Sequence, residues 1–91
     1  MKQVVRTKTY HDDLDAIEAY IAQDNPQAGA DMWLHIDDQL EQLADPIFTC
    51  RSGGVVGTFE LVAHRNYIVI LEEDETTITA LNVVHARKQY P

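Results

Sequence analysis

The sequence predicts an α+β fold with the element order β-α-α-β-β-β, a helical hairpin packed on an antiparallel sheet. Three short apolar segments near the C-terminus, separated by polar breaks, indicate consecutive strands at Thr58–Ala63, Tyr67–Leu71 and Thr77–His85. Apolar residues at helical spacing fill two segments that meet at Asp24-Asn25-Pro26. The N-terminal segment Gln3–Thr9 has the alternation of a further strand.

The N-terminal part of the chain is predicted to be a strand followed by the first helix. Val4 and Val5, followed by alternating polar residues, indicate that Gln3–Thr9 joins the later sheet. A helix is predicted over His11–Gln23, with acidic residues crowding a first turn where the helix dipole favours them. Its apolar stripe consists of Leu14, Ile17 and Ile21.

The junction of the two helices is predicted from Asn25 and Pro26. The Asn25 side chain can cap the second helix, and Pro26 suits its first position because the missing N–H costs nothing there. This helix is predicted to run to about Ala44 and to end at Asp45-Pro46. Its inward stripe is Ala28, Met32, Ile36, Leu40 and Leu43. The short link predicts an αα-hairpin.

The segment Ile47–Gly57 contains three glycines and is predicted to be an irregular loop that presents Arg51. In the strand after it, Phe59, Leu61 and Ala63 are predicted to share one face. In the last strand, one face is predicted to carry Ile78, Ala80, Asn82 and Val84, and the other Thr79, Leu81, Val83 and His85.

Length and composition predict a single domain over residues 1–91, with 45% hydrophobic residues and a modest core. The single cysteine, Cys50, excludes an internal disulfide and suits a reducing compartment. Lys2, Arg6 and Lys8 interrupt the first segment before any long apolar run, which argues against a secretory leader. No segment reaches the roughly 18–20 apolar residues of a membrane span. We therefore expect a cytoplasmic location and no membrane partner.

The charge is unevenly distributed. The formal net charge is −8, which argues against direct DNA binding because nucleic-acid binders need a basic surface. No Lys or Arg occurs between Thr9 and Cys50, an interval that holds ten of the fifteen acidic residues. Acidic helices and a mildly basic sheet are predicted. This asymmetry is either a solvated helix surface or a field that steers a partner.

Few residues have the pattern of a metal, cofactor or catalytic site. The histidines form no i, i+4 pair on a helix and have no cysteine partner, so we expect no metal and no cofactor. Cys50 lies beside Arg51, but no histidine is fixed near it in sequence to activate a thiolate. Trp33 is predicted to pack in the hairpin or core, with an exposed interface anchor as the alternative.

A basic and aromatic cluster follows the last strand. His85, Arg87, Lys88 and Tyr90 lie at its exit. An arginine held there beside the loop with Arg51 could bind a phosphate or a carboxylate. The alternative is a frayed, solvated tail.

Three motifs make the sequence recognisable: YIAQDNPQAGADMW around Asp24–Pro26, NYIV at Asn66–Val69, and VVHARKQYP at Val83–Pro91. Over nearly its whole length the chain resembles the ParE/RelE superfamily of bacterial type II toxins, and within it the ParE-like plasmid stabilisation proteins. The resemblance implies two helices on an antiparallel sheet, a cognate antitoxin as partner and DNA gyrase as target.

The chain departs from the family wording at several arginine positions. Gly54, Phe59 and Asn82 stand where ParE-like relatives carry arginine. The cationic sheet positions of the ribonuclease branch fall on Phe59, Leu61 and Ile68, and only Arg87 retains a counterpart. Because one charge-stabilising group is worth about 2.7–4 kcal/mol, three such losses argue against RelE-type RNA cleavage.

Three functional hypotheses follow from the resemblance. The first is a ParE-like toxin that acts by binding rather than turnover and is silenced by an antitoxin peptide along its sheet and groove. The second is a detoxified relative that still binds an antitoxin. The third is a ribosome-dependent endoribonuclease with Arg87, Arg51 and Tyr90 as catalytic groups. The resemblance leaves a homodimer open. The predicted binding residues are Arg51, Arg65, His85, Arg87, Lys88 and Tyr90.

Overall fold

Two helices pack on one face of a five-stranded sheet in the computed structural model, which describes residues 2–45, 51–52 (backbone only) and 57–87. The α+β class and the predicted order of the main elements are confirmed. The elements are β1 Gln3–Arg6, α1 Lys8–Ala22, α2 Pro26–Gln42, β2 Arg51–Ser52, β3 Thr58–His64, β4 Tyr67–Glu73 and β5 Thr77–His85. Neither described helix has the length and apolar character that crossing a bilayer requires.

The strand order across the sheet is β1-β5-β4-β3-β2. The meander β3-β4-β5 is antiparallel as predicted, whereas β1 pairs with β5 in parallel, from Gln3 opposite Thr77 to Arg6 opposite Ala80. The sheet is therefore mixed. The two-residue strand β2 lies inside the range predicted as irregular loop, because two residues are too few to show a periodic pattern. The rest of residues 46–56 lies outside the described chain.

The start of α1 was predicted too late. The alternation of polar residues over Gln3–Thr9 favoured a strand, but β1 ends at Arg6 and the helix begins at Lys8. Thr7 is the reason: its extended backbone and its Oγ1, which accepts the Tyr10 N–H at 3.1 Å, form an N-cap. Hence no acidic residue lies in the first turn. Asp12 is instead paired with Lys8 one turn away.

The helical hairpin forms as the sequence predicts. Asn25 Oδ1 accepts the Ala28 N–H at 3.1 Å, and Pro26 begins α2. The helices end within two residues of the predicted positions, and such differences are ordinary at helix ends. At Gly29 the helices approach so closely that a Cβ there would lie 2.7 Å from the Glu18 carbonyl oxygen. Trp33 packs between the helices, where its indole N–H donates to Asp15 Oδ1 at 3.1 Å.

The core lies between the hairpin and the sheet. Its buried members are Tyr10, Leu14, Ile36, Leu40, Leu43, Leu61, Ala63, Tyr67, Val69, Leu71, Ile78, Ala80 and Val83. Phe59, Ile17 and Met32 pack against it from partly exposed positions. Tyr10 precedes the stripe predicted for the first helix, and Gly29 rather than Ala28 is buried at the start of α2.

A bulge in β5 reverses the faces predicted for its second half. Asn82 is paired with Ile70, but Ala80 is paired with Leu71, so Leu81 is an extra residue on β5. Because one extra residue moves every later side chain to the opposite face, Val83 follows Ala80 into the core. The prediction that Asn82 and Val84 share the face of Ile78 and Ala80 is therefore wrong. His85 lies on the helix-bearing face instead.

An ion-pair network joins β1 to both helices. Arg6 Nε donates to Asp37 Oδ1 at 2.8 Å, and one terminal nitrogen donates to Glu41 at 2.7 Å. The Tyr10 hydroxyl, on a fully buried residue, donates to the same Asp37 oxygen at 2.9 Å. These contacts raise the pKa of the Arg6 guanidinium, and burial with the Asp37 bond raises that of Tyr10.

Candidate functional site

An open groove of about 440 Å³ lies between α1 and the C-terminal half of β5, and it is called the α1–β5 groove below. It exists because β1 covers β5 only as far as Ala80, after which Thr7 turns the chain into α1. Beyond that point β5 stays paired with β4 on one edge, while its other edge runs beside the helix instead of beside another described strand. The lining residues are Asp13, Ala16, Ile17, Tyr20, Tyr67, Val83, Val84 and His85.

Backbone polar groups of β5 face this groove. The Val83 N–H points away from β4 and donates to Asp13 Oδ2 at 2.9 Å. Because alternate residues of a strand direct their N–H groups to the same side, the His85 N–H points to that side too. The groove thus combines an apolar floor with the polar backbone of a strand edge.

Tyr20 forms the outer wall of the groove and is 72% exposed, the most exposed large hydrophobic residue described. Ala16 is also exposed on the same wall, and Ile17 is half-buried between the groove and the core. Exposed aromatic side chains that border an apolar cleft are typical of protein-binding surfaces. The sequence offered one signal for Tyr20, its position outside the stripe predicted for the first helix.

Four rings form a row across one end of the sheet, hereafter the ring row. His35 on α2 contacts His64 at the end of β3, with ring centroids 5.8 Å apart. Tyr67 then lies between His64 and His85, at 6.0 and 5.4 Å. Tyr67 and His85 also line the α1–β5 groove, so the ring row and the groove share two residues.

Each histidine of the row has a defined backbone partner. The Asn66 N–H donates to His64 Nδ1, and the Arg87 N–H donates to His85 Nδ1, both at 3.1 Å. An imidazole nitrogen that accepts an N–H carries no proton, so these bonds assign the tautomer with hydrogen on Nε2. His35 Nε2 lies 2.8 Å from the Ala63 carbonyl oxygen and donates to it.

The surroundings of His64 disfavour its charged form. Burial is the largest cause that lowers its pKa, followed by the nearby charges of His35 and Arg65. Within the described ranges, no three His, Cys, Asp or Glu residues are placed to hold a metal ion.

The predicted binding residues are only partly brought together. His85, Arg87 and Arg65 lie at the same end of the sheet, with Arg65 and Arg87 exposed and His85 half-buried. Arg51 is on β2 at the opposite edge, with β3 and β4 between it and β5, a separation of about 14 Å at ordinary strand spacing. Lys88 and Tyr90 lie outside the described residues. Of the groove residues, Asp13, Tyr20 and Tyr67 were missed.

The positions aligned with the ribonuclease branch carry apolar side chains, two of them buried and one partly buried against the core. Phe59 packs against the core from β3, and Leu61 is buried in it. Ile68 is 9% exposed on β4. None of these three side chains offers a charge to a phosphate.

Comparisons with known proteins found a matching family model, a related protein and a solved structure with the same fold. The model of the family described as "ParE toxin of type II toxin-antitoxin system, parDE" matches residues 4–90. The Sinorhizobium fredii protein named "Putative toxin Y4kP" is 33% identical over 78 residues, which cover 86% of this chain and 81% of the relative. A solved chain of the chromosomal ParDE TA system from P. aeruginosa superposes with a TM-score of 0.82 at 21% identity, covering 93% of this chain and 96% of that one, which shows a shared fold.

Proposed function

Because the chain belongs to the ParE toxin family of type II toxin-antitoxin systems, we propose that it acts by binding another protein and is silenced when a cognate antitoxin occupies the α1–β5 groove. One observation carries this proposal: β5 extends beyond β1 along an apolar cleft, and on that edge the Val83 N–H is held only by the Asp13 side chain, which a peptide backbone would replace. An extended peptide can add to such an edge, where main-chain hydrogen bonds give affinity and alternate side chains give specificity.

The groove also suggests the chemistry of the antitoxin segment. Alternate residues of an added strand would face Ile17 and Val83, so these positions favour aliphatic or aromatic side chains. The whole toxin carries a net charge of −8, and its helices hold most of the acidic residues. Basic residues flanking the apolar positions would therefore speed encounter with the toxin.

DNA gyrase is the target that the resemblance implies. The exposed Arg65 and Arg87 at the ring-row end are the described residues we assign to target binding, together with His85. Because His85 also lines the groove, an antitoxin bound there would cover part of the same surface. Arg51, Lys88 and Tyr90 stay in the proposed binding set on the resemblance alone.

The apolar positions Phe59, Leu61 and Ile68 support binding rather than RNA cleavage. A phosphoryl-transfer site needs groups that stabilise developing negative charge, and each is worth about 10²–10³ in rate. Induced expression in the absence of antitoxin should therefore arrest growth and block supercoiling by purified gyrase, without cutting messenger RNA. Cleaved RNA that disappears in Arg87→Ala would restore the nuclease hypothesis.

A detoxified antitoxin-binding relative is the second candidate. It is favoured by Phe59 and Asn82, which replace family arginines in β3 and β5. Healthy growth under strong induction, combined with a tight complex with the antitoxin encoded in the neighbouring gene, would establish it. Restoring both arginines in one variant would then be expected to slow growth.

The groove itself can be tested with two matched alanines. Ala16 and Ala19 are both exposed on α1, but only Ala16 lines the groove. Ala16→Arg should weaken antitoxin binding at least about tenfold, roughly 1.4 kcal/mol. Ala19→Arg should leave the affinity unchanged, with both variants folded by circular dichroism. Equal affinities for the two variants in calorimetric titration would place the antitoxin elsewhere.

A further inference from the structure

The ring row contains two hydrogen bonds that exist only while its histidines are neutral. The bonds from Asn66 N–H to His64 Nδ1 and from Arg87 N–H to His85 Nδ1 each close a short backbone segment at one end of the sheet. Protonation converts an imidazole Nδ1 from acceptor to donor. Each backbone N–H would then face another N–H, and both local structures would lose their closing bond.

The charged groups around the row add to this effect. His64 is faced by His35 from α2 and by Arg65 from its own turn. His85 is followed by Arg87, whose N–H it accepts, and it shares the groove with Asp13 and Tyr20 of α1. Tyr67 contacts both histidines. Among these groups the cations outnumber the single carboxylate, so further protonation concentrates positive charge beside an apolar groove.

We propose that His64 and His85 form a proton-sensitive latch on the α1–β5 groove, so that acidification from neutral pH to about 5.5 reshapes the groove end and weakens antitoxin binding. The antitoxin part of this inference rests on the proposed function. The latch itself is a property of the toxin chain. It reaches the groove through Tyr67 and His85, which belong to both the ring row and the groove lining.

The lowered pKa of His64 agrees with a latch that is closed in the neutral form and opens on acidification. Burial, His35 and Arg65 hold this pKa below the ordinary histidine value of about 6.5. The folded chain therefore binds fewer protons at His64 than the unfolded chain does. The contribution of neutral His64 to the free energy of unfolding is fully present above the ordinary histidine pKa of about 6.5, and it declines as the pH falls through the lower pKa of the folded chain.

Asparagine variants separate titration from hydrogen bonding. Asparagine Oδ1 takes nearly the same place as histidine Nδ1, accepts an N–H and does not titrate. The double variant His64→Asn/His85→Asn should therefore keep both backbone bonds at every pH. His11→Asn is the matched control, because His11 stacks on Trp33 between the helices and lies outside the ring row.

The first experiment needs no partner. Nuclear magnetic resonance of the full chain between pH 8 and 5 should show the amide signals of Asn66 and Arg87 shifting with the same midpoints as the His64 and His85 rings. The Tyr67 ring signals should move with them. In the double variant these shifts should disappear, whereas His11→Asn should titrate like the unmodified chain. Backbone amides that stay fixed while both histidine rings titrate would overturn the latch.

The second experiment measures the dissociation constant of the purified antitoxin encoded in the neighbouring gene at pH 7.5 and 5.5. We expect at least about a tenfold weakening at the lower pH for the unmodified chain and for His11→Asn, and less than about threefold for the double variant. Equal weakening in all three proteins would refute the latch. Absence of binding at both pH values would refute the proposed function, while the magnetic resonance result would still decide the latch.

Discussion

Replacing Asp37 by alanine should be among the most destabilising changes of a polar residue in this chain. Its carboxylate accepts hydrogen bonds from Arg6 Nε at 2.8 Å, from a terminal Arg6 nitrogen at 3.3 Å and from the Tyr10 hydroxyl at 2.9 Å. The carboxylate thereby joins β1, α1 and α2 at one point.

The loss of stability in Asp37→Ala can be worked out from the two donors, Arg6 and the Tyr10 hydroxyl, that lose their acceptor. The Arg6 and Asp37 side chains are 24% and 22% exposed, so solvent screens their attraction only in part and the pair contributes about 1–2 kcal/mol. Tyr10 is fully buried, and its hydroxyl would lose its partner at a cost of about 1–3 kcal/mol. Because Arg6 keeps its bond to Glu41, we expect about 3 kcal/mol in total.

Urea unfolding at pH 7, followed by circular dichroism, measures this change as a shift in midpoint at constant slope. The matched control is Asp38→Ala, which removes an exposed carboxylate from the next position of the same helix and should stay within about 0.5 kcal/mol. Tyr10→Phe should cost about 1 kcal/mol, because Asp37 keeps Arg6. If Asp37→Ala and Asp38→Ala unfold at the same urea concentration, the network does not stabilise the fold.

Three further changes test other parts of the fold. Gly29→Ala should lower the free energy of unfolding by about 1–3 kcal/mol in urea titration despite the better helix propensity of alanine, because its Cβ would meet the Glu18 carbonyl oxygen at 2.7 Å. Leu14→Ala should lower the free energy of unfolding by about 2–5 kcal/mol in the same assay, since Leu14 is fully buried in the core. Backbone N–H bonds hold the pKa of Asp74 below its usual range, so its contribution is present above the unfolded pKa of about 3.9 and is lost as the pH falls through the lower folded value. In Asp74→Asn the midpoint of urea unfolding should therefore depend less on pH between pH 5 and 2 than it does in the unmodified chain.

Local signals in the sequence predict most elements because their causes are local. Asn25 and Pro26 begin α2 through a cap and a missing N–H that involve only neighbouring residues. The end of β1 depends instead on Thr7, whose hydroxyl both caps α1 and donates to the Ala80 carbonyl oxygen, 73 residues away in sequence. The alternation of residues along one segment cannot reveal a contact with a distant segment, which explains why β1 was predicted too long.

The candidate site was predicted less completely than the fold for the same physical reason. His85 and Arg87 could be identified from a motif, but the bulge at Leu81 decides which face His85 occupies. The groove arises because β1 stops short of the end of β5, so Tyr20 and Tyr67 become neighbours of His85 only in the tertiary structure. Their individual positions in the sequence predict core or surface roles, not a shared cleft.

The parallel pairing of β1 with β5 has a consequence for folding during synthesis on the ribosome. β5 is the last described element to be made, yet it lies inside the sheet between β1 and β4. Until β5 emerges, β1 has no neighbour in the described sheet and the helices pack on only part of it, so the fold is completed only after β5 has been synthesised. A product terminated before β5 would lack the strand that borders the α1–β5 groove and should be readily degraded.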